Sequence, residues 1–232
     1  MVFADYFDGD TLNTNYWSHQ LGNGSQYGIP GWGNDEQQYY QQNNASVRDG
    51  KLIITARKEN VAGYRYTSSR ICSSKKIYKT YGRIEAKIKL PLGKGLWPAF
   101  WLLPNNSPYG GWPNSGEIDI MEAKGRLERE SSGALHFANK NGSHNFTTKT
   151  CAFTDYNTEI KGQKTINDYH IYALEWDRNE MRWFVDDYNF MTISNWTCSS
   201  GEYPSPFNTD FYIVFNLAIG GMFDNHVLPD DN

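Results

Sequence analysis

The amino-acid sequence predicts an all-β fold, an antiparallel β-sandwich, on three grounds. Apolar residues recur with period two, turn signals cut the chain into many short runs, and no window carries a long 3.6-residue apolar stripe. The clearest alternation sets Ile84, Ala86, Ile88 and Leu90 against Arg83, Glu85, Lys87 and Lys89, which is the pattern of a half-buried strand. Leu52 to Arg57 is a second β-rich run. From Asp168 to Trp176 both parities are apolar, which predicts a strand buried on both faces. Asn179-Glu180 and Asp186-Asp187 then turn the chain around the runs 181–185 and 188–191. Phe211 to Leu217, closed by Gly220-Gly221, is a further buried strand.

The chain has 232 residues, with no internal repeat, low-complexity tract or Pro/Ser-rich linker, so residues 1–232 are expected to form one domain. Net charge is −4, and the densest basic stretch is only Lys75-Lys76 with Lys79, which excludes an electrostatic footprint for nucleic acid. No run of about 18 apolar residues exists, so no membrane helix is expected. Cys72, Cys151 and Cys198 are too few and too scattered for a zinc framework and allow at most one disulfide. The opening Met1-Val2-Phe3-Ala4-Asp5 lacks a charged leader with an apolar core and reads as the start of a mature domain. Asn-x-Ser/Thr triplets begin at Asn23, Asn44, Asn105, Asn141, Asn145 and Asn195, which suits a secreted chain. Aromatic content is high, at 8 Trp, 16 Tyr and 12 Phe. Most of these rings belong in a sandwich core. Others sit in Gly- and Pro-rich loops such as Tyr109-Gly110-Gly111-Trp112-Pro113, where flat faces suit the C–H surfaces of sugars.

The stretch that carries chemistry is Gly116-Glu117-Ile118-Asp119-Ile120-Met121-Glu122. On a strand, Ile118 and Ile120 face one side, and Glu117 and Asp119 the other. Glu122 is five residues beyond Glu117, so plain alternation turns it away. One extra residue, a β-bulge near Met121, returns it to the acidic face. The two glutamates then stand four strand steps apart, roughly 13 Å between Cα atoms, and leaning side chains close the carboxyl gap to about 5–6 Å. A gap of about 5–5.5 Å fits a retaining glycosidase and one of about 6.5–9.5 Å an inverting one. In the retaining assignment Glu117 is the nucleophile and Glu122 the acid/base, with Asp119 between them to share a proton with Glu117. Alternation alone favours a solvated acidic strand face. The setting shifts the balance, because Trp97, Trp101 and Trp112 lie just upstream and Gly/Pro-rich loops flank the motif.

The sequence resembles glycoside hydrolase family 16, in its laminarinase-like (endo-β-1,3-glucanase) branch. The likeness runs in order along nearly the whole chain. It is carried by the segments from Gly31 to Tyr40, Gly50 to Arg57, Tyr81 to Lys87 and Leu96 to Leu102, then by the carboxylate motif. Leu135-His136-Phe137, Ala173-Leu174-Glu175-Trp176 and Asn216 to Gly221 complete it. The resemblance implies a β-jelly-roll sandwich with a substrate cleft on its concave sheet, a retaining mechanism, and a bulged catalytic strand marked by Met121. It implies that Trp97, Trp101 and Trp112 flank the sugar near the cleaved bond, that His136 stands beside the carboxylates, and that Asn34, Arg83 and Glu36 hold sugars on the glycone side. His170 fits a family pattern but reads as structural. Phe223 stands where many relatives carry Trp.

The resemblance further implies hydrolysis of internal β-1,3-glucan bonds by a secreted monomer without an organic cofactor, mixed β-1,3/1,4-glucan being a further candidate substrate. The alternatives are a non-catalytic β-glucan-recognition protein, or a family enzyme acting on another β-glycan, such as a lichenase, agarase or transglycosylase. Many relatives bind a structural Ca²⁺, for which Gly50 matches a backbone-carbonyl position. They also continue into a last strand that would follow Asn232, and that strand is expected to be missing here.

Overall fold

The computed structural model describes residues 3–153 and 164–230. Two antiparallel sheets lie on either side of one apolar core, as the period-two pattern predicts. The larger sheet runs, edge to edge, through Ser18–Gln20, Arg70–Cys72, Phe211–Ile219, Leu96–Pro104, Glu117–Glu122, Glu130–Ala138 and His144–Ala152, with Tyr78–Lys79 pairing beside Phe211–Ile219. The smaller sheet runs through Tyr188–Ile193, Met181–Val185, Tyr169–Trp176 and Gly82–Lys89. In the larger sheet a meander of four consecutive strands, from Leu96–Pro104 to His144–Ala152, is extended by Phe211–Ile219 and Arg70–Cys72 from distant parts of the chain, in keeping with a jelly-roll sandwich. One local departure from antiparallel pairing is Gln38–Tyr40, which runs parallel to Tyr64–Ser68.

Ile84, Ala86 and Ile88 pack on the core while Arg83, Glu85, Lys87 and Lys89 face solvent, as the alternation requires. The strand Tyr169–Trp176 differs from its expectation. His170, Tyr172 and Leu174 are buried, but Tyr169 and Ile171 are exposed on the outer face, so only its middle is covered on both sides. Apolar residues on a solvent face defeat a reading by parity. Between the sheets, Trp183, Phe100, Leu102, Ile118, Met121 and Phe207 are essentially inaccessible. Each side chain of that size contributes roughly 1.5–3 kcal/mol by leaving water. All three cysteines are buried, and none is joined to another by a disulfide.

Candidate active site

The strand Glu117–Glu122 lies in the middle of the larger sheet, between Leu96–Pro104 and Glu130–Ala138. Its irregularity is visible on both sides. Trp101 stands opposite Asp119 and Phe100 opposite Met121, so Ile120 has no counterpart there. On the other side Asp119 pairs with Ala134 and Glu122 with Ser132, three steps against two. The extra residue therefore sits at Ile120-Met121, both of whose side chains enter the core, and Glu122 returns to the face of Glu117 and Asp119. Trp183 reaches across from the smaller sheet and donates its indole N–H to the Asp119 carbonyl at 2.8 Å, where the regular ladder ends. That approach needs glycine at 133, because a Cβ there would lie 2.5 Å from the Trp183 ring.

Aromatic donors hold the outer carboxylates. Trp112 Nε1 donates to Glu117 Oε2 at 3.1 Å, and Trp97 Nε1 to Glu122 Oε1 at 3.0 Å. His136 stands directly opposite Glu117 in the sheet. Its Nε2 is 3.0 Å from Asp119 Oδ2 and 4.0 Å from Glu117 Oε1. The nearer contact is within ion-pair reach but off the line of a hydrogen bond, leaving Asp119 Oδ2 buried without a hydrogen-bond partner. Burial pushes all three carboxyls up to about 8, with repulsion by Asp119 adding to the rise at Glu117 and Glu122. Opposing that rise, His136 and Arg70 favour ionised Glu117, while His136, the Trp97 donor and Lys124 favour ionised Glu122. The cluster titrates as a unit and holds protons at neutral pH.

The structure brings most of the sequence-predicted residues to this face. Trp101 donates to Asn216 Oδ1 at 2.7 Å and lies against the Arg70 guanidinium. Glu36 is buried beneath the cleft, accepting from Gln38 at 2.6 Å and Tyr40 at 2.9 Å, and Asn34 approaches it at 3.5 Å. Phe223 stacks on Trp97, with ring centres 4.9 Å apart. Its short helical turn is tied to the segment after Glu122 by a two-pronged Arg126–Asp224 pair at 2.7 and 2.8 Å. His170 is fully buried between Asp186 and the Thr165 carbonyl, at 2.9 and 3.0 Å, a structural role.

Arg83 is a correction. It lies in Gly82–Lys89 of the smaller sheet, on the face turned away from the core, paired with Glu85 at 2.6 Å and Glu175 at 3.0 Å. Both sheets and the core separate that face from the carboxylates, so Arg83 holds no sugar in the cleft. The cleft arginine is Arg70, which sequence reasoning missed. Its guanidinium lies between the rings of Trp32 and Trp101, at 4.4 and 4.7 Å, and its Nε donates to Gln20 at 2.6 Å. In the sheet it is aligned with Asn216, Ala99 and Glu122. The available signal was one arginine beside two small serines, Ser68-Ser69, and next to the core residue Ile71.

Comparison with known proteins decides the family, since the sequence profile of "Glycosyl hydrolases family 16" matches residues 32–225. The chain belongs to that family. It is 36% identical, over 99% of its length, to the glucan endo-1,3-beta-glucosidase A1 of Niallia circulans, of which it spans only 35%. It is 37% identical over 95% of its length to the glucan endo-1,3-beta-glucosidase of Cryptopygus antarcticus, spanning 80% of that protein. The laminarinase catalytic domain of Thermotoga maritima MSB8 superposes with a TM-score of 0.85 at 35% identity, over 99% of this chain and 90% of that one.

For this family 16 member, the raised carboxyls have a consequence for stability. A carboxyl that binds its proton more tightly folded than unfolded leaves stability intact below its unfolded value, near 4, and lowers it as pH rises to about 8. Asp119→Asn removes the most deeply buried of the three charges. The variant is expected to melt several degrees above the parent at pH 8–9, with the gain vanishing below about pH 4. Melting curves across that range check it; a gain largest in acid would reverse the sign and exclude burial of charge as its cause.

Proposed function

We propose that this domain is a retaining endo-β-1,3-glucanase that hydrolyses internal β-1,3-glucosidic bonds, with mixed β-1,3/1,4-glucan as a second substrate. The observation that carries the reading is the bulged strand, which sets Glu117, Asp119 and Glu122 on one face with an indole N–H on each glutamate. The similarity to glucan endo-1,3-beta-glucosidases and a laminarinase supports the substrate class.

In this reading Glu117 attacks the anomeric carbon as a carboxylate. The glycosidic C–O bond breaks, and Glu122 gives its proton to the leaving oxygen. Water then loses a proton to Glu122, attacks the same carbon and frees Glu117. The charge that the cluster does carry is best placed on Glu117, where Arg70, His136 and the Trp112 donor converge. Asp119 discourages ionisation of Glu122 and so keeps the acid loaded.

Recognition alone does not need three carboxyls clustered on one face, so the presence of Glu117, Asp119 and Glu122 together argues against a pure recognition role. The acidic chain, lacking a basic cluster, argues against a sulfated galactan as substrate. The reading also makes the protein secreted, monomeric and independent of membranes. Glycosylation at Asn44 does not suit the folded chain, because its side chain is buried and donates to Thr55 and Thr67.

A structural Ca²⁺ fits the residues around Gly50. A Cβ placed there would lie 3.9 Å from the Tyr6 carbonyl and 4.0 Å from an Asp8 carboxylate oxygen, so hard oxygen donors converge on that turn. Tyr6, Asp8 and the Gly50 carbonyl would supply part of its shell.

Product analysis on laminarin, with lichenan and agarose in parallel, tests the function. Release of short β-1,3-linked oligosaccharides of several lengths is expected from laminarin, fewer products from lichenan and none from agarose. Binding to laminarin without release of any product would overturn the enzyme reading in favour of recognition.

A further inference from the structure

The sheet face that carries the carboxylates continues past them to an edge strand whose aromatic residues no step above uses. Glu117 pairs with His136, and His136 with Phe146, so the three lie in one row across neighbouring strands. Ala138 pairs with His144, which places His144 on the same face, next to that row. Strands are about 4.8 Å apart, so Phe146 sits roughly 10 Å from the nucleophile's strand, on the scale of one to two pyranose rings.

The rings form one aromatic patch. His136 Nδ1 and His144 Nε2 are 2.9 Å apart, their ring centres 5.2 Å apart and their planes within 11°. An imidazole nitrogen lies on the rim of its own ring, so those figures agree only when the rings lie edge to edge in nearly one plane. Phe146 is 5.4 Å from His136 and 5.7 Å from His144, inclined by 18° and 19°. Phe146 therefore flanks both histidines, its ring near-parallel to theirs. Trp112, centred 4.6 Å from His144 and tilted by 43°, raises one side of the surface. Phe146, on the edge strand, and Trp112, in the turn before Glu117, are 54% and 56% exposed, which is costly for large rings and apt for a binding face.

We propose that His144 and Phe146, with Trp112 as a side wall, form a binding subsite for a glucosyl unit on the leaving-group side of the cleaved bond. The occupant is a pyranose with equatorial hydroxyls, whose axial C–H face packs on the exposed Phe146 ring while its hydroxyls point outward to water. The side follows from the sheet. Asn34, Glu36 and Arg70 gather beyond the strand Phe211–Ile219, and His144–Ala152 is the opposite edge. A glucan crossing the strands therefore leaves the glycone residues in one direction and reaches the aromatic patch in the other. This assignment rests on the glucanase reading and on the placement of Asn34 at the glycone end.

The test compares wild type with Phe146→Ala and Phe146→Tyr. One substrate is laminarihexaose, which is long enough to reach the patch. The other is an aryl β-laminaribioside, which presents only the aryl group on that side. The ratio of kcat/KM on the hexaose to that on the aryl substrate is expected to fall roughly three- to tenfold for Phe146→Ala and to recover for Phe146→Tyr. His144→Ala is expected to lower the same ratio, since Phe146 then lacks the ring packed beside it. Equal losses on both substrates, or an unchanged ratio, would overturn the subsite.

Calorimetric titration of laminarihexaose into Glu117→Gln, with and without Phe146→Ala, reads the subsite without turnover, and weaker binding by the double variant is expected. Equal binding by the two would overturn the subsite while leaving the enzyme reading intact. A wild type that cleaves nothing, together with weaker binding by the double variant, would remove the enzyme reading and keep the subsite.

Discussion

Glu117→Ala is expected to lower kcat/KM on laminarin by at least about three orders of magnitude while the protein stays folded. Glu117 lies on the cleft face of a central strand, outside the packed core, so its truncation removes no core contact. It removes one of the carboxyls that burial and mutual repulsion push up to about 8, so the variant should melt no lower than wild type at neutral pH. The informative arm is rescue by azide. A small anion fits the space left by the carboxylate and attacks the anomeric carbon from the same side, with Glu122 still able to protonate the leaving oxygen. One displacement inverts the centre, so the rescued product is the α-glycosyl azide. Formation of the β-azide, or activity close to wild type, would assign the nucleophile elsewhere.

That experiment addresses a residue whose role was legible before the fold was known, for a reason of parity. The two glutamates are five positions apart, an odd spacing, and a strand serves both from one face only if it carries an extra residue. Ile120 and Met121, both apolar and both buried, mark where it sits. Arg83 shows the limit of the same logic. Alternation with Ile84, Ala86 and Ile88 correctly turns it away from the core, but periodicity does not say to which sheet a strand belongs. That choice is made by pairing with Tyr169–Trp176, more than eighty residues away.

Arg70 was hidden for the opposite reason. From Tyr66 to Cys72 every residue is buried, polar and apolar alike, so no alternation remains to be read. The partners of Arg70, Trp32 and Trp101, come from segments far apart in the chain. His144 and Phe146 were silent because an edge strand exposed over most of its length looks like any solvated strand. Only the register, which aligns Phe146 with His136 and Glu117, gives it meaning.

Glu122→Ala should separate substrates by leaving group. With laminarin the departing sugar oxygen needs its proton as the bond breaks, and kcat/KM is expected to fall by about two to four orders of magnitude. With a 2,4-dinitrophenyl β-glucoside or laminaribioside, whose phenolate leaves unaided, formation of the glycosyl-enzyme should be nearly unaffected. The intermediate should then accumulate, because no base remains to activate water. Azide needs no base, so it should release that intermediate as the β-glycosyl azide, the product of two inversions. The pH profile supplies an independent reading. Burial and Asp119 push Glu122 up to about 8, so the wild-type profile on laminarin should fall on its alkaline side as the acid is lost. That limb should be absent from the variant's residual activity. Trp97, which donates to Glu122 and is stacked on Phe223, remains in place in the variant, so loss of the limb reports the carboxyl and not a collapse of the cleft wall. Equal losses on laminarin and on the activated substrate would instead make Glu122 a structural support, and the acid would have to be sought at Asp119.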